Sequence, residues 1–344
     1  MLLLFRCLVL FASLSYAQVC LYGQSKIAIA IHGGAGDLRR MHLSPEQEQA
    51  YTATLSAALD SGYAVLRSGG ASTDAAIAAV RVLEDSPLFN AGRGAVLTSD
   101  GTIELDASIM EGRGHACGAV TGVTTVKNPI LAANAVMKSG QVVFLAGRGA
   151  EQFAEQHGVE IVDTAYFFTP ARRAQLQQAK KNETAPPAND SRGGVIFPPD
   201  GHAVEKFGTV GCVALDQYGN LAAATSTGGI VNKRHNRIGD SPVIGAGTYA
   251  DNASCAVSCT GKGEDFIRLA VAHDIAARMR YGHISLRKAT KQVILESLQA
   301  IGGEGGCIAL DRAGHIEMPF NTSGMFRGRI DTAGQKTVAI YGAQ

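Results

Sequence analysis

The sequence contains no tryptophan, and only 6% of its 344 residues are aromatic. Lysine and arginine (31 residues) almost balance aspartate and glutamate (30 residues), which leaves a formal net charge of +1 and no long basic run. Nucleic acid is therefore not expected as a partner, because its binding requires a concentrated positive surface. The 41 glycines and the 46% of hydrophobic residues instead predict a large core with many tight turns rather than a helical bundle.

Several catalytic motifs are also absent. The sequence has no G-x-S-x-G nucleophile elbow, no H-E-x-x-H zinc motif and no G-x-x-x-x-G-K-[ST] phosphate loop. The segment HGGAG (32–36) follows a strand-like run but lacks the G-x-G-x-x-G spacing of a dinucleotide-binding loop. We therefore expect no organic cofactor, and we interpret His32 as a core histidine that donates a hydrogen bond to a backbone carbonyl.

The one strongly apolar stretch lies at the N-terminus (MLLLFRCLVLFASLSYAQ). It ends in Ser15-Tyr16-Ala17, a small-x-small pattern that signal peptidases favour. The run is too short, and too interrupted by Arg6, to span a membrane. We interpret residues 1–17 as a cleaved signal peptide, and predict an exported protein, periplasmic or secreted, with no membrane partner. An uncleaved N-terminal anchor is the alternative.

Six of the seven cysteines would remain after that cleavage. Cys255 and Cys259, in CAVSC, would lie about 13 Å apart on a strand, which is too far for a disulfide bond. No second pair of Cys or His residues at ligand spacing accompanies them, so a zinc site is not expected. We predict that most of these cysteines are buried free thiols.

Helix signals flank hairpins and long apolar strands along the chain. Ser44, Pro45 and Gln47 have the residue types of an N-cap, a first helical position and a capping box, which predicts a helix that begins at Ser44 and stops at Gly69-Gly70. The apolar periodicity predicts further helices over residues 72–85, 264–282 and 285–303.

The segment 179–194 (AKKNETAPPANDSRGG) differs from its surroundings. It is polar, contains prolines and has no periodicity, which predicts a flexible linker. The chain beyond it is rich in strands and then helical. We therefore predict an α+β fold of stacked sheets covered by helices, as one large domain interrupted by a linker.

A glycine–threonine junction, Gly208-Thr209, lies between this linker and a strand. A threonine hydroxyl is a poor nucleophile unless a base takes its proton, and no histidine is close in sequence. If the Gly208–Thr209 bond were cut, the freed α-amine, with a pKa of about 7.7–8.0, would supply that base on the nucleophile's own residue. Without a Cβ atom, Gly208 would tolerate the strain of attack on its carbonyl. A β-forming threonine in a buried strand is the alternative.

Seven motifs follow one another over nearly the whole mature chain. They are HGGAG, PLFNAGRGAVL, ELDASIMEG, GTVGCVALDQYGNLAAATSTGG, RIGDSPVIGAGTYADN, SCTGKGEDFIR and PFNTSGM. In these motifs the sequence resembles the N-terminal-nucleophile (Ntn) hydrolases of the plant and bacterial isoaspartyl peptidase/L-asparaginase family. The resemblance implies a four-layer αββα sandwich, autocleavage into an α chain (18–208) and a β chain (209–344) that share one catalytic domain, and an (αβ)2 assembly.

The resemblance also implies catalytic roles for individual residues. Thr209 matches the nucleophile that autocleavage after Gly208 exposes, and Thr227 matches the threonine that orients it. Thr260 and Gly261 match the donors that stabilise the oxyanion. A hydroxyl and a backbone N–H directed at the developing negative charge would each lower the barrier by about a few kcal/mol.

Arg237 and Asp240 match the pair that binds the substrate's α-carboxylate and α-ammonium groups. The chemistry is suitable, because a planar guanidinium pairs with a carboxylate and an aspartate pairs with an ammonium. A surface ion pair is the alternative. The other implied substrate contacts are Ile238, Gly239, Thr260, Gly261, Lys262 and Gly263, with Asn90, Gly33 and Gly34 as supporting residues.

The loop LEDSPLFNAGR (83–93) resembles the family's site for a structural sodium ion, for which potassium is an alternative. Backbone carbonyl oxygens hold the ion there, so side chains give almost no signal of it. An ordinary turn rich in Gly and Asn is the other interpretation. The matching positions are Leu83, Glu84, Ser86, Phe89, Ala91 and Arg93.

The implied activity is hydrolysis of β-aspartyl (isoaspartyl) dipeptides and of L-asparagine, with release of aspartate. One alternative is a glycosylasparaginase, which performs the same chemistry on a glycan-linked asparagine. That branch cuts after an aspartate and has Asn at the position of Gly228, whereas this sequence has Gly208 and Gly228. The other alternative is an exported amino-acid-binding protein that uses Arg237 and Asp240 without cleaving its ligand.

Overall fold

The computed structural model describes residues 26–184 and 208–342. Its strands form an eight-stranded and a four-stranded sheet. The strands are β1 (Ala28–Gly36), β2 (Leu105–Glu111), β3 (Cys117–Val123), β4 (Phe144–Ala146), β5 (Val210–Leu215), β6 (Leu221–Thr227), β7 (Thr248–Ala250), β8 (Cys255–Gly261), β9 (Gly305–Asp311), β10 (Ile316–Glu317), β11 (Gly324–Ile330) and β12 (Lys336–Tyr341).

The order in the larger sheet is β12-β11-β1-β5-β6-β2-β3-β4, and in the smaller sheet β10-β9-β8-β7. Neighbouring strands are antiparallel except for β3 and β4. The helices are α1 (Pro45–Arg67), α2 (Ser72–Asp85), α3 (Pro129–Ser139), α4 (Gly147–Gln156), α5 (Pro170–Thr184), α6 (Gly263–Leu269), α7 (Val271–Gly282), α8 (Leu286–Lys291) and α9 (Leu298–Ala300), with a π-helix (Gln292–Ser297) between the last two and 3-10 turns at Leu38–Met41, Gly92–Gly94 and Thr164–Phe167.

The first two predicted helices are confirmed. Ser44 caps α1, accepting a hydrogen bond from the Gln47 backbone while the Gln47 side chain accepts one from the Ser44 backbone. The helix ends at Arg67, just before the predicted Gly69-Gly70 stop, and α2 covers the predicted residues 72–85. Local capping chemistry therefore sets both ends of α1.

The later helices differ from prediction. The single helix expected over 264–282 is divided into α6 and α7 at Ala270, whose φ of 47° places it in the left-handed region. The helix expected over 285–303 ends at Ala300, before Gly302 adopts a φ of 72°. A left-handed residue ends the regular hydrogen-bonding pattern of a right-handed helix, so each of these helices stops there.

The predicted linker 179–194 begins too early. Residues 179–184 belong to α5, because Ala, Lys and Glu in this stretch favour a helix. Residues 185–194 lie outside the described residues.

The two sheets pack face to face. Helices α1 and α2 contact β1, β5 and β6 on the outer face of the larger sheet, while β5 and β6 contact β8 of the smaller sheet on its other face. Helices α7 and α8 cover the outer face of the smaller sheet at β8 and β9. This arrangement confirms the α+β class.

Alternation along β1 shows why this strand is buried throughout. Ile29 and Ile31 join the core beneath the helices, and Ala28 and Ala30 join the core between the sheets. Successive side chains of a strand point to opposite faces, so a central strand contributes to two cores. No helix in the described part of the chain combines the length and hydropathy needed to cross a membrane.

Candidate active site

Thr209 lies directly before β5, between β1 and β6 at the centre of the larger sheet, and only 5% of it is exposed. Its Oγ1 donates to Thr227 Oγ1 at 3.2 Å and lies 3.2 Å from Ser241 Oγ. Thr227 is the last residue of β6, and its Oγ1 also accepts a hydrogen bond from the backbone N–H of Gly229 at 3.0 Å. The structure thus brings the two predicted threonines together and adds Ser241, which sequence reasoning missed.

Asn90 fixes the turn that follows Thr227. Its Nδ2 donates to the carbonyl of Gly229 at 2.7 Å, and its Oδ1 accepts from the backbone of Val96 at 2.9 Å. A Cβ atom at Gly228 would lie 2.7 Å from this Oδ1, so glycine lets the turn approach Asn90 closely. Asn90 therefore lies in the region of Thr209, and it holds the turn that follows Thr227 through these hydrogen bonds.

Gly208 packs between β1 and Thr260. A Cβ atom at Gly208 would lie 2.3 Å from Thr260 Oγ1, and one at Gly34 (φ 113°) would lie 3.1 Å from both the N and O atoms of Gly208. Thr260 is fully buried, and its Oγ1 accepts from the backbone of Ala35 at 3.3 Å. The peptide of Gly208 therefore lies in a space that admits no side chain, beside a predicted oxyanion donor.

The other glycines of this region serve close packing. A Cβ atom at Gly33 would lie 2.3 Å from Phe89 Cε1, so Gly33 contacts the 83–93 loop rather than Gly208. A Cβ atom at Gly261 would lie 2.4 Å from the carbonyl oxygen of Glu304, where β8 pairs with β9. Both positions therefore require glycine for steric reasons.

Arg237 binds a partner that sequence reasoning missed. Its Nε and Nη2 donate to the two carboxylate oxygens of Glu264 at 2.8 and 2.7 Å. This two-point pairing is the geometry with which a guanidinium would bind a substrate carboxylate. Glu264 immediately follows the glycine-rich SCTGKG segment, so its position next to a predicted binding loop was the available signal.

Asp240 is 3% exposed, and its Oδ2 has no hydrogen-bond partner among the described residues. Burial raises its pKa to about 7, while the nearby Arg237 guanidinium lowers it. A Cβ atom at Gly263 would lie 2.8 Å from the backbone nitrogen of Asp240, so the start of α6 packs against the Asp240 backbone. A buried acceptor without a partner suits a ligand cation such as an α-ammonium group.

The remaining predicted substrate contacts surround Arg237 and Asp240. A Cβ atom at Gly239 would lie 2.9 Å from Arg237 Nη1, and Ile238 is 43% exposed. Lys262 is the N-cap of α6, and its backbone N–H donates to the carbonyl of Glu304 at 3.1 Å. These residues lie on the two segments, 237–240 and 260–263, that meet at Gly263.

The 83–93 loop presents carbonyl oxygens at the C-terminal end of α2, which is the negative end of the helix dipole. Three of them accept backbone hydrogen bonds: Leu83 from Ser86, Phe89 from Ala91, and Ala91 from Gly94. A Cβ atom at Gly92 (φ 48°) would lie 2.4 Å from the carbonyl oxygen of Glu84. Carbonyl oxygens are hard donors of the kind that an alkali cation would need, and the ion itself stays a prediction.

Side chains of this loop point to other partners. Glu84 is fully buried; its Oε1 accepts from Ser226 Oγ at 2.7 Å and from the backbone of Ile130 at 3.0 Å, and burial raises its pKa to about 8. The Arg93 guanidinium lies 5.7 Å from the centre of the Tyr166 ring. Among the described residues, no group of three or more His, Cys, Asp or Glu side chains could hold a metal ion.

His32 is fully buried and accounts for the orientation of the Thr209 backbone. Its Nδ1 lies 3.0 Å from the carbonyl oxygen of Thr209, and its Nε2 lies 2.9 Å from Ser258 Oγ. Burial lowers its pKa to about 3, so the ring is neutral at physiological pH. The predicted core histidine that donates to a backbone carbonyl is confirmed, and that carbonyl belongs to Thr209.

The cysteine prediction is confirmed for the described residues. Cys117, Cys212, Cys255, Cys259 and Cys307 are all free. Burial raises the pKa of the four thiols that are fully buried, which are those other than Cys117. The hydrogen-bond partners of the Thr209 hydroxyl are instead the hydroxyl groups of Thr227 and Ser241.

A buried threonine that follows a glycine and contacts a second threonine hydroxyl is the arrangement expected of hydrolases with a threonine nucleophile. The chain belongs to one family of this class: residues 25–340 match the sequence model of the family described as Asparaginase.

Curated relatives extend the comparison. The chain is 50% identical over 317 residues to an isoaspartyl peptidase of Salmonella typhimurium, covering 92% of this chain and 99% of the relative. It is 48% identical to an isoaspartyl peptidase of Escherichia coli, covering 92% and 96%. It is 43% identical to a probable isoaspartyl peptidase/L-asparaginase 2 of Arabidopsis thaliana, covering 91% and 98%. The predicted family, with its plant and bacterial members, is confirmed.

The prediction of an exported protein is wrong. The similar bacterial isoaspartyl peptidases are cytosolic enzymes, and they match this chain over most of its length. Residues 1–17, on which the signal-peptide prediction rests, lie outside the described residues. An apolar N-terminal run was therefore insufficient evidence for location.

Proposed function

We propose that this protein is a threonine hydrolase that cleaves isoaspartyl dipeptides and L-asparagine to release aspartate. The observation that carries the proposal is Thr209, whose hydroxyl lies 3.2 Å from Thr227 Oγ1 while the preceding Gly208 packs against Thr260. The names of the curated relatives support the same substrates. They do not favour a glycosylasparaginase or a binding protein.

The protein would first process itself. Thr209 Oγ attacks the carbonyl carbon of Gly208, the Oγ–C bond forms, and the C–N bond breaks as the hydroxyl proton passes to the leaving nitrogen. Water then hydrolyses the resulting ester, which leaves an α chain ending in the Gly208 carboxylate and a β chain starting with the Thr209 amine. Thr260 Oγ1 lies beside Gly208, which supports it as the donor to the oxyanion.

In the mature enzyme, the α-amine of Thr209 takes the proton from Oγ, which attacks the side-chain carbonyl of the substrate. The hydroxyl of Thr260 and the N–H of Gly261 stabilise the oxyanion, and ammonia or an amino acid leaves with the transferred proton. Water hydrolyses the β-aspartyl ester and frees aspartate. The proton that Thr209 Oγ gives up thus passes through the α-amine to the leaving group.

Arg237 and Asp240 would hold the amino-acid end of the substrate. The substrate's α-carboxylate would compete with Glu264 for the Arg237 guanidinium, since both offer a carboxylate to the same donors. The α-ammonium group would supply the missing partner of Asp240 Oδ2. A free amino-acid head group offers both of these charges.

Three further features belong to the proposal. The contacts of α1 and α2 with the larger sheet, of the two sheets with each other, and of α7 with the smaller sheet support a four-layer αββα sandwich. Apolar side chains are exposed at the start of the edge strand β4, at Val142, Val143 and Phe144, and they support an (αβ)2 assembly. The carbonyl groups of residues 83–93 would hold a sodium or potassium ion that stiffens the loop carrying Asn90.

The test compares the unaltered protein with Thr209→Ala and with Thr209→Ser, which keeps a hydroxyl group. Intact mass and N-terminal sequencing after incubation at neutral pH should show a chain starting at residue 209 in the unaltered protein and in Thr209→Ser. Thr209→Ala should remain one chain and release no aspartate from a β-aspartyl dipeptide. Processing or turnover by Thr209→Ala would refute the proposal, and an intact, ligand-binding unaltered chain would favour the binding protein.

A further inference from the structure

A group of five buried polar side chains connects the two sheets behind Thr209. We call Ser108, Thr248, Thr225, Ser258 and His32 the hydroxyl relay. Successive members lie 2.8, 2.5, 2.7 and 2.9 Å apart, measured between side-chain oxygens and, at the last step, to His32 Nε2. All five are 0% exposed. The relay is therefore a continuous hydrogen-bonded path shielded from water.

The backbone register explains why these side chains meet. Ser108 of β2 lies directly opposite Thr225 of β6, and Thr248 of β7 lies directly opposite Ser258 of β8. The first pair belongs to the larger sheet and the second to the smaller sheet, so the two pairs face each other across the interface. A Cβ atom at Gly211 would lie 2.0 Å from Ser258 Oγ, so glycine at this position of β5 leaves room for the relay.

The hydrogen bonds of the relay run in one direction. The carbonyl oxygen of Thr209 can only accept, so His32 Nδ1 carries the proton and His32 Nε2 accepts from Ser258. Ser258 then accepts from Thr225, and Thr225 accepts from Thr248. The low pKa of the buried His32 agrees with this neutral ring.

Both ends of the relay reach Thr209. At one end, His32 binds the carbonyl oxygen of Thr209. At the other end, the single Ser108 hydroxyl proton is shared between the carbonyl oxygen of Ser241 at 2.6 Å and Thr248 Oγ1 at 2.8 Å. Ser241 Oγ lies 3.2 Å from Thr209 Oγ1. Because Thr209 donates its own proton to Thr227, Ser241 is the donor in this last bond.

The polar character of this region is local. Elsewhere the interface between the sheets is filled by apolar side chains such as Ala30, Val213, Ala223 and Ile308. Burying hydroxyl groups costs free energy unless every one is paired, so an apolar filling would hold the sheets together equally well. A paired polar network instead fixes the orientation of its members.

We propose that Ser241 is a further catalytic residue and that the hydroxyl relay positions it together with the backbone of Thr209. The proposal rests on the role of Thr209 as nucleophile. As Thr209 Oγ loses its proton, the Ser241 hydroxyl donates to the developing negative charge. It donates again when water opens the β-aspartyl ester and Oγ becomes the leaving group. The α-amine of Thr209 takes a proton from the attacking water and returns it to Oγ as the ester bond breaks.

The first test of this proposal is Ser241→Ala, with Ser254→Ala as the matched control. Ser254 is also a buried serine, but it lies in the β7–β8 turn outside the relay. We expect Ser241→Ala to lower kcat per processed chain, or the rate of processing itself, by about 10- to 100-fold. The reason is the loss of a hydrogen bond to a charged group. KM should stay within about threefold, since the hydroxyl acts on Oγ and not on the substrate head group.

A second pair of variants tests the relay. Thr225→Val keeps the shape of the side chain and removes the hydroxyl, whereas Thr225→Ser keeps the hydroxyl and removes the methyl group. We expect kcat to fall in Thr225→Val and to recover in Thr225→Ser. An equal loss in both variants would show that Thr225 acts through packing, and would overturn the positioning role.

The outcomes separate this inference from the proposed function. If Thr209→Ala is inactive while Ser241→Ala processes and turns over within about threefold of the unaltered protein, only the role of Ser241 fails. A loss carried by KM alone would also overturn it. If Thr209→Ala is active, the proposed function fails first. Should Ser241→Ala not fold, Ser241→Cys, which keeps the branching of the side chain but is a weak donor, decides by the same criteria.

Discussion

His32 makes a prediction about acid stability that follows from its burial. The ring is neutral in the folded protein with a pKa of about 3, against 6.5 for an exposed histidine. Between these two values the unfolded chain binds a proton that the folded protein does not, so the free energy of unfolding falls as the pH falls. The loss begins near pH 6.5 and continues to about pH 3.

The magnitude follows from the shift. Each pH unit in this window costs about 1.4 kcal/mol, so lowering the pH from 6.5 to 4.5 should cost about 3 kcal/mol at His32 alone. Glu84 and Asp240 act in the opposite sense, because burial raises their pKa values to about 8 and 7. Below these pKa values the folded protein binds protons at the two carboxyl groups more tightly than the unfolded chain does. A fall in pH therefore stabilises the folded protein at these two sites.

A variant isolates the contribution of His32. His32→Asn cannot titrate, and its amide N–H can still donate to the carbonyl of Thr209. Urea unfolding at pH 7 and pH 4.5, in a Thr209→Ala background that keeps one chain, should show a loss in the parent that exceeds the loss in the variant by about 3 kcal/mol.

His283→Asn is the control for this measurement. His283 is exposed and caps α7 in the left-handed conformation, which asparagine also tolerates. It should follow the parent at both pH values. Equal losses in the parent and in His32→Asn would refute the reasoning, because they would mean that the buried ring does not resist protonation.

Three further predictions concern the site and the core. Gly208→Ala should slow processing at least about tenfold on gels, because its Cβ atom would lie 2.3 Å from Thr260 Oγ1; wild-type processing would contradict this. Asp240→Asn should raise KM about 100-fold or more, because the substrate ammonium loses its charged partner. In the unaltered enzyme, kcat/KM should fall as the pH falls below about 7, because Asp240 then gains a proton. A kcat/KM that does not change with pH would contradict this role of Asp240. Leu59→Ala, in the core beneath α1, should lower the free energy of unfolding by about 2–5 kcal/mol without changing KM, as measured by urea unfolding.

Local features of the fold could be predicted from the sequence. The capping box at Ser44 and the glycines after α1 act within a few residues, so the pattern alone located the helix. The break at Ala270 could not be predicted, because an alanine gives no signal for the left-handed conformation that tertiary packing imposes on it. The order of strands depends on long-range pairing that no local pattern carries.

The residues of the candidate site also divide into those that the sequence could indicate and those that it could not. Resemblance located Thr209 and Thr227, and the structure places their hydroxyls in contact. Ser241 and Glu264 were missed because their roles depend on side chains from distant segments meeting in space. Serine and glutamate beside a glycine-rich loop are common, so neither residue type nor spacing marks them in a single sequence.

Under the proposed cleavage, the strand order has a consequence for the life of the mature enzyme. β1 to β4 would belong to one product chain, and β5, β6, β11 and β12 to the other, with β1 inserted between β11 and β5. Neither product can leave without breaking the larger sheet at its centre. Once denatured, however, the two pieces must find each other again, so recovery becomes a second-order process that depends on concentration. The precursor folds as one molecule, and its unfolding can be reversible. After cleavage, the stability of the enzyme is kinetic, because it depends on how slowly the two chains separate.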